Sequence, residues 1–156
     1  ELNKAYDETE EEEWYRVIDT DLKGPWLMCK YFVPPMVKSG RGSVINISSL
    51  NGIVGFPLST AYGSAKGGLV VFTRDMAIEL AKSGVRVNCV CPGLTETEMA
   101  HTLSPEYHSM VVGATPLGRI GEPAELASVA RFLLSEESSF MTGQTIVASG
   151  GRVMVP

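Results

Sequence analysis

The spacing of apolar residues predicts three helices. In the first, apolar residues stand three to four positions apart, as in an amphipathic helix: Trp14, Val17, Ile18, Leu22, Trp26 and Leu27. Pro34 and Pro35 predict a kink or an end of this helix before Ser39 and Gly40. Two further helices are predicted over about 60–82 and 123–135.

Short β-branched runs alternate with these helices. Residues 43–49 and 85–91 are too apolar for half-exposed strands and predict buried strands of a parallel sheet. Residues 144–148 predict a third strand, and residues 94–121 read as loop-rich. The alternating order predicts an α/β layered fold, formed as a single unit over residues 1–156.

Six acidic residues crowd positions 7–13. Acidic side chains suit the positive end of a helix, so this run predicts a solvated helix start. Thr9 is the predicted N-cap, with Glu12 completing a capping box three residues later.

Composition narrows the class of protein. A chain of 156 residues with 44% hydrophobic positions suffices for one domain with a core. The net charge of −5 argues against binding to a nucleic-acid backbone. No apolar run is long enough to span a membrane, and no secretory signal is recognisable. Cys29, Cys89 and Cys91 lack CxxC spacing and predict reduced thiols, which favours a cytoplasmic location.

Candidate chemistry centres on Ser49, Tyr62 and Lys66. Four residues make just over one helical turn, so Tyr62 and Lys66 are predicted on one helix face. A neighbouring ammonium favours the phenolate and lowers a tyrosine pKa from about 10, which makes the phenol a usable acid or base. Ser49 follows a predicted strand at the sheet edge where open α/β folds bind ligands. Ser48 is an alternative hydroxyl, and a surface i,i+4 pair is the alternative for Tyr62 and Lys66.

Several motifs together resemble the short-chain dehydrogenase/reductase family. They are Ile45-Asn46-Ile47-Ser48-Ser49, the 13-residue step from Ser49 to Tyr62, the YxxxK pattern, Arg86-Val87-Asn88 leading to Pro92-Gly93, the run 118–123, Thr142-Gly143-Gln144, and Gly150-Gly151. The resemblance implies a doubly wound, mostly parallel Rossmann-like sheet. It also implies NAD or NADP as coenzyme, an alcohol or carbonyl substrate, and a homodimer or homotetramer.

The same resemblance implies residue roles. Tyr62 would be the catalytic acid or base, Lys66 would lower its pKa and hold the nicotinamide ribose, and Ser49 would orient the substrate oxygen. The coenzyme would be contacted by Tyr62, Lys66, Pro92, Gly93, Thr95 and Thr97. Asp21 stands where the family usually has an Asn that supports a water relay to the lysine through its main-chain carbonyl.

Some family features are missing. GxGxxG and GxxxxGK[ST] do not occur in these residues, and neither do the family's TGxxxGxG and NNAG segments. We therefore expect the catalytic and C-terminal part of a family domain, inactive on its own because the phosphate-binding turn is lacking. The alternative is a non-catalytic fragment or a helix-mediated assembly module. His101 and His108 lack a third ligand, so no metal is predicted.

Overall fold

Helices and parallel strands alternate along the chain. The computed structural model describes residues 3–154, and its helices and strands are α1 (Glu11–Ile18), α2 (Gly24–Ser39), β1 (Gly42–Ile47), α3 (Thr60–Leu80), β2 (Val85–Pro92), α4 (Pro105–Gly113), α5 (Pro123–Leu134) and β3 (Thr145–Ala148). A π-helical turn, Asp19–Lys23, joins α1 to α2. Short 3-10 turns follow β1, α3 and α5, and another precedes α4. The predicted α/β class is confirmed.

The sheet has the order β1-β2-β3, and both pairings are parallel. Helix α3 packs on one face, where Val70 meets Cys89 and Cys91. Helix α5 lies against the other face, where the Ser43 hydroxyl of β1 donates to the Leu133 carbonyl oxygen. Cys29, Cys89 and Cys91 are free thiols, as expected, and all three are buried. A hydrogen bond with Cys91, together with burial, raises the pKa of the Cys89 thiol, which therefore stays protonated.

The two longer strands differ in burial. Strand β2 pairs on both sides and is buried along most of its length. Strand β1 pairs only with β2 among residues 3–154, and most of it is half-buried. Ile47 is 50% exposed. The expectation of a buried strand at 43–49 was therefore wrong for β1 in this chain, because its outer edge has no neighbour within the described residues.

The start and end of the first helical segment differ from expectation. Glu10, rather than Thr9, is the N-cap of α1, and Glu13 completes the capping box by accepting from the Glu10 backbone N–H at 3.1 Å. The Thr9 hydroxyl instead donates to the Ala5 carbonyl oxygen at 2.9 Å. At the other end, Pro34 and Pro35 lie inside α2, which ends at Gly40 with φ of 70°. This left-handed conformation favours glycine and closes the helix.

Helix α4 lies within the region expected to be loop-rich. Its N-cap is Ser104, whose hydroxyl oxygen accepts from the Tyr107 backbone N–H at 3.2 Å. Pro105 occupies the first turn, where its missing N–H costs nothing. The Ser-Pro pair was thus a local helix-start signal. Among residues 3–154, no helix combines the length and hydropathy needed to cross a bilayer.

Candidate active site

The chain leaves β1 through a tight turn that packs directly on α3. This 3-10 turn, Leu50–Gly52, depends on the absence of a side chain at Gly52. A Cβ there would lie 2.7 Å from the backbone carbonyl of Lys66 and from the Ser48 Oγ. The close approach fixes the end of β1 against the helix that carries the YxxxK pattern.

The two serines after β1 have different surroundings. Ser48 is buried, and its hydroxyl donates to the Lys66 carbonyl oxygen at 2.8 Å. Ser49 is half-buried, and its Oγ accepts from the Asn51 backbone N–H at 3.2 Å. The Ser48 hydroxyl therefore holds β1 to α3, whereas the Ser49 hydroxyl lies at the carboxyl edge of the sheet.

Tyr62 and Lys66 occupy the same face of α3. The Lys66 Nζ lies 5.6 Å from the centroid of the Tyr62 ring and donates to the Ile47 carbonyl oxygen at 3.2 Å. The Tyr62 ring packs against an apolar cluster formed by Trp14, Val17, Ile18, Leu22, Ala61 and Ala65. The ring is thus held from the α1 side, while the ammonium is held from the β1 side.

Asp21 reaches this group from the π-helical turn. Its Oδ1 lies 3.2 Å from the Lys66 Nζ, and the two side chains are 27% and 12% exposed. The next residue, Leu22, docks the turn on α3 at Gly68, where a Cβ would lie 3.0 Å from the leucine Cδ2. The resemblance implies a role for the main-chain carbonyl of residue 21. The structure also brings its carboxylate directly to the lysine.

The loop after β2 forms a second group at the same carboxyl edge. Pro92 is the last residue of β2, and the Gly93 N–H donates to the Ala148 carbonyl oxygen at 2.9 Å. The Thr95 hydroxyl donates to the Gly93 carbonyl oxygen at 3.1 Å, and the Thr97 hydroxyl to that of Thr95 at 3.4 Å. Both hydroxyls therefore bond to backbone carbonyls within the loop and stabilise its conformation. The other group consists of Tyr62, Lys66 and Asp21, and Ser49 stands two residues after Ile47, whose carbonyl oxygen accepts from Lys66.

Other motif residues are structural. The Arg86 guanidinium donates to three carbonyl oxygens, those of Leu133, Ser135 and Met141. Asn88 is fully buried, donates to the Met141 carbonyl oxygen at 2.9 Å and accepts from the Gln144 N–H at 3.0 Å. These two side chains tie the segment after α5 to β2.

Sequence reasoning missed Asn51. Besides its backbone contact, its Oδ1 lies 3.4 Å from the Ser49 Oγ, within reach of the serine hydroxyl. The available signal was an amide side chain two residues after the candidate serine. Asn51 extends the polar surface next to Ser49.

No metal centre is present among residues 3–154. No three His, Cys, Asp or Glu side chains there are grouped so as to hold an ion. His101 instead contacts the carboxylate of Glu96.

Comparison with known proteins identifies the family. A family model described as enoyl-(acyl carrier protein) reductase matches residues 1–152. A 3-oxoacyl-[acyl-carrier-protein] reductase from Thermotoga maritima is 43% identical over 144 residues, covering 92% of this chain and 58% of the relative. The chain therefore belongs to the short-chain dehydrogenase/reductase family, which confirms the resemblance drawn from its motifs. It spans less than two thirds of that relative's length.

Solved structures agree with this assignment. A 3-oxoacyl-[acyl-carrier protein] reductase from Brucella melitensis with bound NAD has a TM-score of 0.90 and 37% identity, covering 98% of this chain and 57% of that one. A gluconate 5-dehydrogenase from Burkholderia cenocepacia in complex with NADP and tartrate has a TM-score of 0.93 and 30% identity. The match covers 96% of this chain and 60% of that one. The predicted Rossmann-like architecture is confirmed.

Proposed function

We propose that this chain carries the catalytic residues of an NAD- or NADP-dependent oxidoreductase that transfers hydride between the coenzyme and an alcohol or carbonyl substrate. The main support is that Tyr62 and Lys66 share one face of α3, that Lys66 donates to the end of β1, and that Ser49 follows β1 at the carboxyl edge of the parallel sheet, where open α/β folds bind ligands. The similar proteins act as reductases or dehydrogenases by their names.

The residues present fit the nicotinamide end of such a coenzyme. The Lys66 ammonium is a hydrogen-bond donor suited to ribose hydroxyls, and it lies at the sheet edge next to Tyr62. Pro92, Gly93, Thr95 and Thr97 follow β2 at the same edge and are the proposed contacts for the carboxamide. A bound coenzyme would supply or accept the hydride.

The protein side chains handle the proton and the substrate oxygen. The Ser49 hydroxyl orients the carbonyl or alcohol oxygen. In reduction, the Tyr62 phenol donates a proton to that oxygen, and in oxidation the phenolate removes one. The Lys66 ammonium stabilises the phenolate, because an opposite charge nearby favours the ionised form.

The central test is Tyr62→Phe in the natural protein that carries this chain. Because only one hydroxyl is lost, we expect hydride transfer to fall at least about 100-fold while the unfolding temperature stays unchanged. The matched control is Tyr6→Phe, which removes a hydroxyl from an exposed ring elsewhere. Retention of more than a few per cent of the rate by Tyr62→Phe would contradict the assignment.

The 156 residues alone are expected to bind NADH and NADPH weakly and to turn over no substrate. They contain no glycine-rich phosphate turn, and β1 has an unpaired outer edge among the described residues. Calorimetric titration of both coenzymes, beside an assay with a panel of ketones, tests this. Micromolar binding together with turnover would contradict it. Weak binding by the natural protein as well would favour a non-catalytic assembly module instead.

We also propose a homodimer or homotetramer, in a cytoplasmic location. Exposed apolar side chains on α2 and α3 support the assembly: Met28, Tyr31, Phe32, Val71 and Ile78. The free cysteines fit a reducing compartment. Phe32→Glu is expected to lower the mass measured by light scattering, with exposed Tyr6→Glu as control. A natural protein that is monomeric at micromolar concentration would contradict the proposed assembly.

A further inference from the structure

We propose that Asp21 is a positioning residue: its carboxylate holds the Lys66 ammonium and keeps Tyr62 protonated to higher pH than a neutral side chain at position 21 would. The Asp21 Oδ1 lies 3.2 Å from the Lys66 Nζ. This inference rests on the proposed function, because it concerns the same acid–base pair. It assigns a role to the side-chain charge of residue 21.

The contact fixes the direction of the ammonium. A lysine ammonium has three N–H donors. One of them donates to the Ile47 carbonyl oxygen at 3.2 Å, and the Asp21 carboxylate forms an ion pair with the same nitrogen at 3.2 Å. Because the Lys66 side chain is only 12% exposed, water screens this ion pair less than it would a surface pair. The carboxylate therefore holds the ammonium between the end of β1 and the Tyr62 ring.

The same contact weakens the field of the ammonium at the tyrosine. The Lys66 charge lies 5.6 Å from the Tyr62 ring centroid and stabilises the phenolate. A carboxylate paired with that ammonium offsets part of its charge. The phenol consequently keeps its proton to higher pH than it would beside an unpaired lysine.

One further ion pair lies near the start of α3. On the N-terminal segment, whose Lys4 bridges to Ser59, the Lys4 ammonium is bound by the Glu13 carboxylate of α1 at 2.6 Å. The parts of α1 packed against Tyr62 are apolar, and the turn after β1 contributes Ser49 and Asn51. Among the described residues, Asp21 is the acidic group in contact with Lys66.

Because Asp21 keeps Tyr62 protonated to higher pH, it favours one of the two reaction directions. Reduction of a carbonyl needs the protonated phenol, whereas oxidation of an alcohol needs the phenolate. Asp21 thus extends the pH range in which Tyr62 can donate a proton. The Asp21–Lys66 ion pair thus favours carbonyl reduction at neutral and mildly alkaline pH. It moves the rise in the rate of alcohol oxidation to higher pH.

The experiment compares Asp21→Asn with two other variants in the natural protein. Asn has the same shape and keeps an oxygen that can accept from Lys66, but it removes the charge. Asp19→Asn is the matched control, since Asp19 lies in the same π-helical turn and pairs with Lys23 at 3.1 Å on the surface. Asp21→Glu keeps the charge and tests rescue.

Two readouts are measured for each variant. The first is the pH–rate profile in both reaction directions. The second needs no coenzyme: an ultraviolet titration of the Tyr62 phenolate, taken as the difference from the corresponding Tyr62→Phe protein. For Asp21→Asn we expect both readouts to move to lower pH by roughly half a unit or more. Asp19→Asn and Asp21→Glu are expected to stay within roughly 0.2 unit of the parent.

Unchanged phenolate titration in Asp21→Asn, or an equal shift in Asp19→Asn, would overturn the inference. Failure of the proposed function can be told apart from failure of this inference, because Tyr62→Phe would then retain activity. The phenolate titration does not depend on that activity and still shows whether Asp21 controls the tyrosine proton.

Discussion

Polar residues of the recognised motifs lie in β2 and directly after β1, and their surroundings differ. The motif residues in β2, Arg86 and Asn88, bond to carbonyl and N–H groups at the end of α5 and in the segment after it. After β1, the buried Ser48 hydroxyl holds the strand to α3, whereas the Ser49 side chain is half-buried and contacts the neighbouring Asn51. A motif residue is therefore engaged by the fold when its side chain is buried against another element, and is available for chemistry when its side chain lies at the open edge of the sheet.

The largest expected effect is a difference in stability loss between variants of two asparagines, Asn88 within β2 and Asn51 in the turn after β1. Asn88 is fully buried, so Asn88→Ala removes its packing, leaves the Gln144 N–H without its acceptor and takes one of two donors from the Met141 carbonyl oxygen. We therefore expect a loss of about 2–4 kcal/mol in the free energy of unfolding. Asn51→Ala, at the half-exposed end of β1, should cost less than about 1 kcal/mol. Denaturant unfolding of the natural protein measures both. Equal losses of unfolding free energy would contradict the claim that Asn88 supports the fold more than Asn51 does.

An intermediate effect is expected at the turn that follows β1. Gly52→Ala places a Cβ against the Lys66 backbone, so we expect a loss of about 1–3 kcal/mol in unfolding free energy and a lower rate through displacement of Ser49. Gly55→Ala is the control, because a Cβ there meets nothing within 4 Å. Thermal unfolding and steady-state kinetics provide the measurements. If Gly52→Ala behaved like Gly55→Ala, the close packing of this turn on α3 would be refuted.

The smallest effect concerns two threonine hydroxyls in the interior. The Thr145 Oγ1 in β3 is the one buried side-chain polar atom without a hydrogen-bond partner among the described residues. Thr145→Val should therefore raise the unfolding free energy by up to about 1 kcal/mol. Thr73→Val should lower it by about 1–2 kcal/mol, because the Thr73 hydroxyl accepts from Asn46 and donates to the Leu69 carbonyl oxygen. Destabilisation by Thr145→Val would show that this hydroxyl has a partner after all.

Local patterns predicted most of the helices and strands, although not α4, and one pair of candidate site residues. Helical spacing and β-branched runs predicted α3, α5, β2 and β3 to within a few residues, because periodicity and propensity act over neighbouring positions. The four-residue step likewise brought Tyr62 and Lys66 to one face of α3. The family was predictable from the same residues, since its motifs keep fixed spacings.

Tertiary packing decided what those residues contact. From the sequence, the family and most elements were predictable, and Ser49, Tyr62 and Lys66 could be proposed as the candidate group. Only the fold decided that Ser48 bonds the Lys66 carbonyl, that β1 is an edge strand in the described chain, and that the Asp21 carboxylate reaches Lys66. These contacts join distant segments through a helix docked on a sheet. Their geometry depends on close packing at positions such as Gly52 and Gly68, which no local pattern encodes.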